Sequence, residues 1–289
     1  MPKKIREFII EGGIKLSGLL VIIFVFLIFL LLLKESLSLF GVYSPIDFLL
    51  GKNWRPVSEP PVFGIVPLLL GSIFVTVGAI IICVPLGVAA AMYIAEVAHP
   101  SIKHVLKSLI EILAAIPSVV LGFIGIVWLG PFLKNTFNLD TGMCGLTGSV
   151  LLAFMALPTI ISISEDAIVG VPKSYKEAAY GLGATQWQAL WRIVLPAASS
   201  GIMAAVMLGI GRVIGETMVV LMVTGNSPII PHSILQPVRT LTATIAGEMG
   251  ETVSGSEHYL ALFATGLVLF IITFIINFIA EVYLQRARK

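Results

Sequence analysis

Arg212 and Glu216 stand four residues apart inside an apolar run from Ile193 to Val223. Charges in such a run are costly to bury, generally face a protein interior or a water-filled cavity, and are functional candidates by default. Four residues apart on a helix means one face and pairing reach. The planar guanidinium fork of arginine suits an oxyanion such as phosphate, bidentately. A glutamate beside it would repel an anion unless it holds Arg212 in place or accepts a proton from a protonated phosphate. Two readings of the pair fit: it lines a permeation path, or it is a self-satisfied ion pair that fixes helix packing. Glu111, in another apolar run, is a further candidate for the path and equally suits a capped or snorkelling position at a helix start.

The helix that must position the pair starts near Ile193, which sets Arg212 about midway across a membrane. Its i+4 row runs Ser200, Ala204, Leu208, Arg212, Glu216, and beside it lies a row of small residues, Ala197, Gly201, Ala205 and Gly209. Small rows let another helix approach closely. The expectation is a tight packing ridge next to a stripe that carries charge.

The whole chain is built for lipid. Of 289 residues, 57% are hydrophobic and only 12% charged, with a mean hydropathy of +1.03; soluble domains carry about 25% charged residues. A net charge of +2, with scattered lysines and arginines, excludes nucleic acid as a partner. Cys83 and Cys144 fit neither a metal spacing nor a disulfide framework and read as structural, and no cofactor is expected. Apolar runs without alternation lie near Lys15–Leu33, Val66–Met92, Leu109–Leu129, Leu146–Ile163, Ile193–Val223 and Tyr259–Tyr283. Each is near the roughly 20 residues that a bilayer-crossing helix needs. The fold class is therefore all-α, a polytopic membrane protein with six transmembrane helices. The first run follows Lys3, Lys4 and Arg6 without an A-x-A cleavage site, so it reads as an uncleaved helix.

Basic residues favour the cytoplasmic side. With the N-terminus inside, Lys3, Lys4, Arg6, Lys15, Lys103, Lys107, Lys173, Lys176, Arg192, Arg286, Arg288 and Lys289 face the cytoplasm, against Lys34, Lys52, Arg55, Lys134 and Arg239 outside. Both termini are expected to be cytoplasmic. The proline-rich outer segment 34–65 separates helix one from the rest, so residues 1–65 read as an N-terminal helix plus external loop and 66–289 as a five-helix core. A second outer connection, 225–258, reads as an ordered, partly helical flap. Pro67, Pro85, Pro117 and Pro158 are each expected to kink a span.

Topology places the longest polar loop, 165–196, in the cytoplasm, with helix character. Pro172 can open a helix, Ala178, Ala179 and Ala184 favour one, and Gly183 permits a tight turn between two short ones. Trp187 and Trp191, four apart, are expected to pack on the loop's inner side, and Pro196 restarts a helix. Gly170-Val171-Pro172-Lys173-Ser174 lacks the glycine frame of a phosphate loop, and Gly181-Leu182-Gly183 fails the dinucleotide pattern, so any ATP must be bound by another chain. The plainest reading of the loop is an interfacial amphipathic helix with Glu177 in water.

The spacing EAA-x3-G-x9-I-x-L-P, made by Glu177, Ala178, Ala179, Gly183, Ile193, Leu195 and Pro196, resembles the cytoplasmic loop of bacterial ABC importer permeases. Glu111-Ile-Leu-Ala-Ala-Ile-Pro-Ser-Val-Val-Leu-Gly122, Leu157-Pro-Thr-Ile-Ile-Ser-Ile-Ser-Glu-Asp166 and Gly211-Arg-Val-Ile-Gly-Glu-Thr-Met218, followed by Gly225-Asn226, resemble the PstC-type permeases of phosphate importers. Leu113-Ala-Ala115 departs from that family's more usual Leu-Ala-Gly. The resemblance implies a type I ABC importer permease (MetI-like) core in the bacterial inner membrane. It implies a PstA-type second permease subunit, a PstB-type cytoplasmic ATPase dimer and a PstS-type external phosphate-binding protein. It implies alternating access, with Glu177, Ala178, Ala179, Gly183, Ala184, Ile193, Leu195 and Pro196 docking the ATPase and Arg212, Glu216, Thr217 and Glu111 near inorganic phosphate. A sulfate or molybdate permease shares the loop but not GRVIGETM. A proton-coupled secondary transporter, or a sensory subunit without transport, leaves either the loop or Arg212 without a reason.

Overall fold

The computed structural model describes residues 3–287. Arg288 and Lys289 of the orientation argument lie outside the described residues, as do the side chains of Lys3, Lys4, Arg6, Tyr283 and Arg286. Backbone polar groups in lipid must be satisfied within the segment, and helices do this residue by residue. Among the described residues, six helical stretches are long and apolar enough to cross a membrane: Ile10–Phe40, Val66–Val97, Ser118–Phe137, Gly145–Val169, Gln186–Gly215 and Glu257–Val282.

The chain opens with α1 (Lys3–Phe40) and a small cap made of α2 (Pro45–Leu50) and the antiparallel pair β1 (Trp54–Arg55) and β2 (Val62–Phe63). Next come α3 (Val66–Met92), which runs on through a π turn at Tyr93–Val97, and α4 (Pro100–Ala115). The third span is α5 (Ser118–Ile124), a π turn at Gly125–Leu129, and α6 (Gly130–Phe137). Then follow α7 (Gly145–Val169), α8 (Lys173–Gly181), α9 (Gln186–Ala189), a π turn at Leu190–Val194, and α10 (Leu195–Gly215). The remainder is α11 (Met218–Val223), α12 (Leu241–Glu248) and α13 (Glu257–Ala287).

The core forms around α7, which packs against α3 and α10 and buries Leu151, Leu152, Ala153, Met155, Ala156 and Ile160. The small-residue row on α10 does what its spacing predicts. A Cβ added at Gly201 would stand 2.4 Å from the Ala167 methyl, and one at Gly209 would stand 2.7 Å from Ile160 Cγ1. Only hydrogen at those two positions lets α10 lie this close to α7.

Two boundaries differ from the sequence reading. The run that starts at Leu109 is not one span: α4 ends at Ala115, and the chain is extended through Ile116 and Pro117 before α5 starts. Proline disfavours helix in the residue before it and cannot donate to the preceding turn. The run from Ile193 to Val223 is likewise split, because Glu216 is extended and α11 starts afresh at Met218. Of the four prolines, only Pro85 and Pro158 sit inside helices; Pro67 opens α3 and Pro117 marks the break.

The segment between α1 and α3 is packed onto the far end of the bundle. Leu39, Phe48, Trp54, Phe63 and Ile65 share an apolar cluster with Leu68, Leu241 and Leu262. Glu248 ties this cap together: Trp54 Nε1 donates to Oε2 at 3.1 Å, His258 Nε2 lies 2.8 Å from it, and Arg239 pairs with Oε1. The flap expected over 225–258 is ordered, with Val238, Leu241, Ala243 and Thr244 buried.

Candidate functional site

Arg212 lies in the last turn of α10, three residues before the helix ends at Gly215, rather than at its middle. Its side chain is exposed, and its one hydrogen bond among the described residues is a long one, Nη1 donating to Thr159 Oγ1 of α7 at 3.4 Å. Glu216 does not pair with it. The predicted face-sharing requires continuous helix through residue 216, and the helix stops at 215. The Glu216 carboxylate instead caps α11: Oε1 accepts from the backbone N–H of Met218 at 3.0 Å and of Val219 at 3.2 Å. A carboxylate at a helix start satisfies orphan amides and complements the dipole. The Glu216 carbonyl accepts from Thr242 Oγ1 at 2.9 Å, which fixes the break against α12. Thr217, the residue just before α11, turns its hydroxyl to the Gly215 carbonyl at 3.2 Å. Among the described residues, then, the guanidinium has no carboxylate partner. It is a cation held against an apolar bundle with its fork open.

Glu111 is on α4, not on the third span, because of the break at Ile116-Pro117. It is exposed and lines a small cavity of about 180 Å³ together with Lys107, Ser162, Glu165 and Asp166. The structure does not bring Glu111 into the Arg212 neighbourhood through any hydrogen bond or ion pair that the described residues make.

The loop folds as two short helices with a tight turn. Glu177, Ala178 and Ala179 are on α8, where Ala179 is buried and Glu177 and Ala178 are exposed. Gly183 has φ +80° with open space around it, a conformation that glycine adopts without strain. The Ala184 N–H then bonds back to Ala179 at 3.0 Å. Thr185 opens α9 with a capping box completed by Gln188. Ile193 sits in the π turn, and Leu195 and Pro196 begin α10. Lys176 of α8 is ion-paired to Glu96 at the end of α3, and Gln186 Nε2 donates to the Glu96 carbonyl at 3.1 Å. The two tryptophans are not packed inward: Trp187 is 61% and Trp191 54% exposed, next to Leu182 at 91%. The inner side of the loop is filled instead by Leu190 and Val194, which cluster with Ile94, Ile168 and Val171, and Ala189 beside them is buried. The four-residue spacing of the tryptophans is right, but the face they share is the outer one.

One charged residue escaped the sequence reading except as a letter in a motif. Glu165, near the loop end of α7, is 3% exposed and accepts from Lys103 Nζ at 2.8 Å and Lys107 Nζ at 2.6 Å. The bond to Glu165 raises the pKa of the Lys107 ammonium above its ordinary value. The available signal was two lysines four apart on an amphipathic helix and an acid at the end of an apolar run. Nothing in their spacing along the chain connects them.

A family model described as "Binding-protein-dependent transport system inner membrane component" matches residues 83–289, which include α7 and the whole loop. The chain is 42% identical over 255 residues to the "Probable ABC transporter permease protein YqgH" of Bacillus subtilis, covering 88% of this chain and 82% of that protein. It is 38% identical over 271 residues to the "Phosphate transport system permease protein PstC" of Mesorhizobium japonicum, covering 87% and 81%. In fold it is similar to a chain of a bacterial alginate ABC transporter crystallised with a pentasaccharide-bound periplasmic protein, at a TM-score of 0.68 and 15% identity over 98% of both chains. Six apolar spans, a two-helix polar loop before the fifth span and these likenesses agree: the chain belongs to the family of binding-protein-dependent transport system inner membrane components, with the fold of type I ABC importer permeases.

Proposed function

We propose that the chain is the membrane-spanning permease subunit of an ATP-driven phosphate importer and forms half of its translocation path. Relatives named as phosphate transport permeases support the cargo. The observation that carries the reading is Arg212, a guanidinium on a helix of an apolar bundle with no carboxylate partner among the described residues. A fork already bound to Glu216 would have to be released before it met an anion; an open one needs no release. Alternation of the six spans, together with the basic residues, supports cytoplasmic termini in a bacterial inner membrane. On that reading, Glu177, Ala178, Leu182 and Trp187 present the loop to a separate ATPase dimer. A second permease subunit completes the path, and a phosphate-binding protein delivers to the face that carries the Glu248 cap. Helices α3 to α13 form the transport core, and α1, which packs on α13, is accessory.

The deciding experiment is uptake by the complex of both permease subunits, ATPase and binding protein in proteoliposomes, with sulfate competing against labelled phosphate. Phosphate uptake that needs ATP and resists excess sulfate is expected. Uptake driven by a proton gradient without the ATPase, or abolished by sulfate, overturns the reading. Gly183→Pro, which cannot adopt a positive φ, should abolish ATPase co-purification while the protein still inserts. Undiminished co-purification removes the loop from the docking site.

A further inference from the structure

We propose that Glu165 is a positioning residue that ties movements of the loop to α4, and through α4 to the third span. This rests on the loop's docking role proposed above.

The loop end of the molecule consists of one well-packed body and one loosely attached lever. The body is the end of α3, the end of α7, the base of the loop and the start of α10, joined through buried Ala91, Ile94, Ile168, Val171, Leu190, Val194 and Ala198. The ion pair from Lys176 to Glu96 fastens α8 to the same body. The lever is α4. It buries no residue of its own completely, and only Leu106 and Ile110 lean on the body's cluster. Both of its ends are extended breaks: His99 has ψ 145° before Pro100, and Ile116 has ψ 125° before Pro117. Such a helix can pivot as a rigid rod about its extended ends, while the two-residue link Ile116-Pro117 still carries its displacement to the start of α5.

What holds the rod is charge. Lys103 and Lys107 are one turn apart and converge on the two oxygens of a single carboxylate, Glu165, which the body buries. The next residue in that row is Glu111, which lines the adjoining cavity together with Glu165 and Asp166. A slide of α4 that carried Glu111 towards Glu165 would set like charges together. The row thus favours one register of α4 on α7. Downstream of the break, α5 packs on α11: a Cβ at Gly122 would meet Met222 Sδ at 2.6 Å. Because α11 is capped by Glu216, a displaced α4 bears on the element that follows Arg212. The clamp is the one charged link between the loop's body and this lever among the described residues.

The test uses the full complex in proteoliposomes, reading phosphate uptake and ATP hydrolysis together, with spin labels at Ser108→Cys on α4 and Ser162→Cys on α7. Glu165→Gln keeps the shape and removes the charge. Uptake should fall about tenfold while hydrolysis changes by less than about twofold, so that more ATP is consumed per phosphate. Label distances should broaden in the variant. Lys103→Gln or Lys107→Gln alone should have a small effect, and the two together should match Glu165→Gln. Unchanged uptake, or uptake and hydrolysis falling in proportion, overturns the proposal. If the wild-type complex imports no phosphate, the cargo assignment fails, and unchanged label distances in Glu165→Gln still overturn the clamp.

Discussion

Glu165 and Arg212 are both single charges placed on apolar spans, and the chain treats them in opposite ways. Glu165 is buried and matched by two ammonium groups that reach it from another helix. Arg212 is exposed and matched by nothing stronger than a long bond to a threonine hydroxyl. Burying an ion costs several kcal/mol unless partners replace its water, so a buried charge without partners would not survive in a stable fold. A charge left unmatched has to keep access to water or to a ligand. The contrast separates a charge matched within the fold from one left open, which on the proposed reading meets the substrate, and neither exposure nor residue type alone makes that distinction.

Three substitutions can break or sharpen the contrast. The largest effect is expected for Arg212→Ala. Removing a charged hydrogen-bond donor from an anion is worth about 1.5–3 kcal/mol, roughly ten- to a hundredfold in uptake. The thermal midpoint of the purified protein should hardly move. Normal uptake by this variant would make Arg212 no different in kind from Glu165.

The matching experiment on the other side is the pair Lys103→Ala with Lys107→Ala. Removing both leaves a buried carboxylate alone, at a cost of about 3 kcal/mol read as a lowered unfolding midpoint in detergent. Each single change should cost less than half of that, since either ammonium still answers Glu165. A double loss no larger than the sum of the two single losses would show that the lysines act independently and do not share the carboxylate.

The smallest effect belongs to Glu216. With Glu216→Gln, a side-chain oxygen remains to accept from Met218 and Val219, so the cost should stay near 0.5 kcal/mol, while Glu216→Ala should cost about 0.5–2 kcal/mol as other caps do. Both are read by thermal unfolding of the assembled complex. A shift in the pH profile of uptake with Glu216→Gln would assign the carboxylate a role in handling protons beyond capping.

Local features were legible in the sequence. The number of spans, the turn at Gly183, the restart at Pro196 and the small row on α10 follow the sequence pattern, while the third and fifth spans have shifted bounds. These depend on residues within a few positions of each other, and helix periodicity carries that information. The misreadings share a cause. Arg212 and Glu216 fit an i+4 pair, yet the bond from Thr242 to the Glu216 carbonyl stabilises a break that no local pattern demanded. Trp187 and Trp191 share a face, but whether that face is inner or outer depends on Leu190 and Val194 meeting Ile94 and Ile168. Pro117 reads as a kink within one span, while its effect is to end α4 and let α5 start afresh.

By itself, the sequence determined the membrane class, the number of spans, the two-helix loop and the charged residues worth watching. All of these follow from transfer energies and from periodicities that act over one or two helical turns. Only the tertiary structure decided which charges are partnered. Lys103 and Glu165 are 62 positions apart, and Thr242 and Glu216 are 26 apart. A Coulomb or hydrogen-bond energy depends on distance through space, and that distance exists only once α4, α7, α11 and α12 have packed.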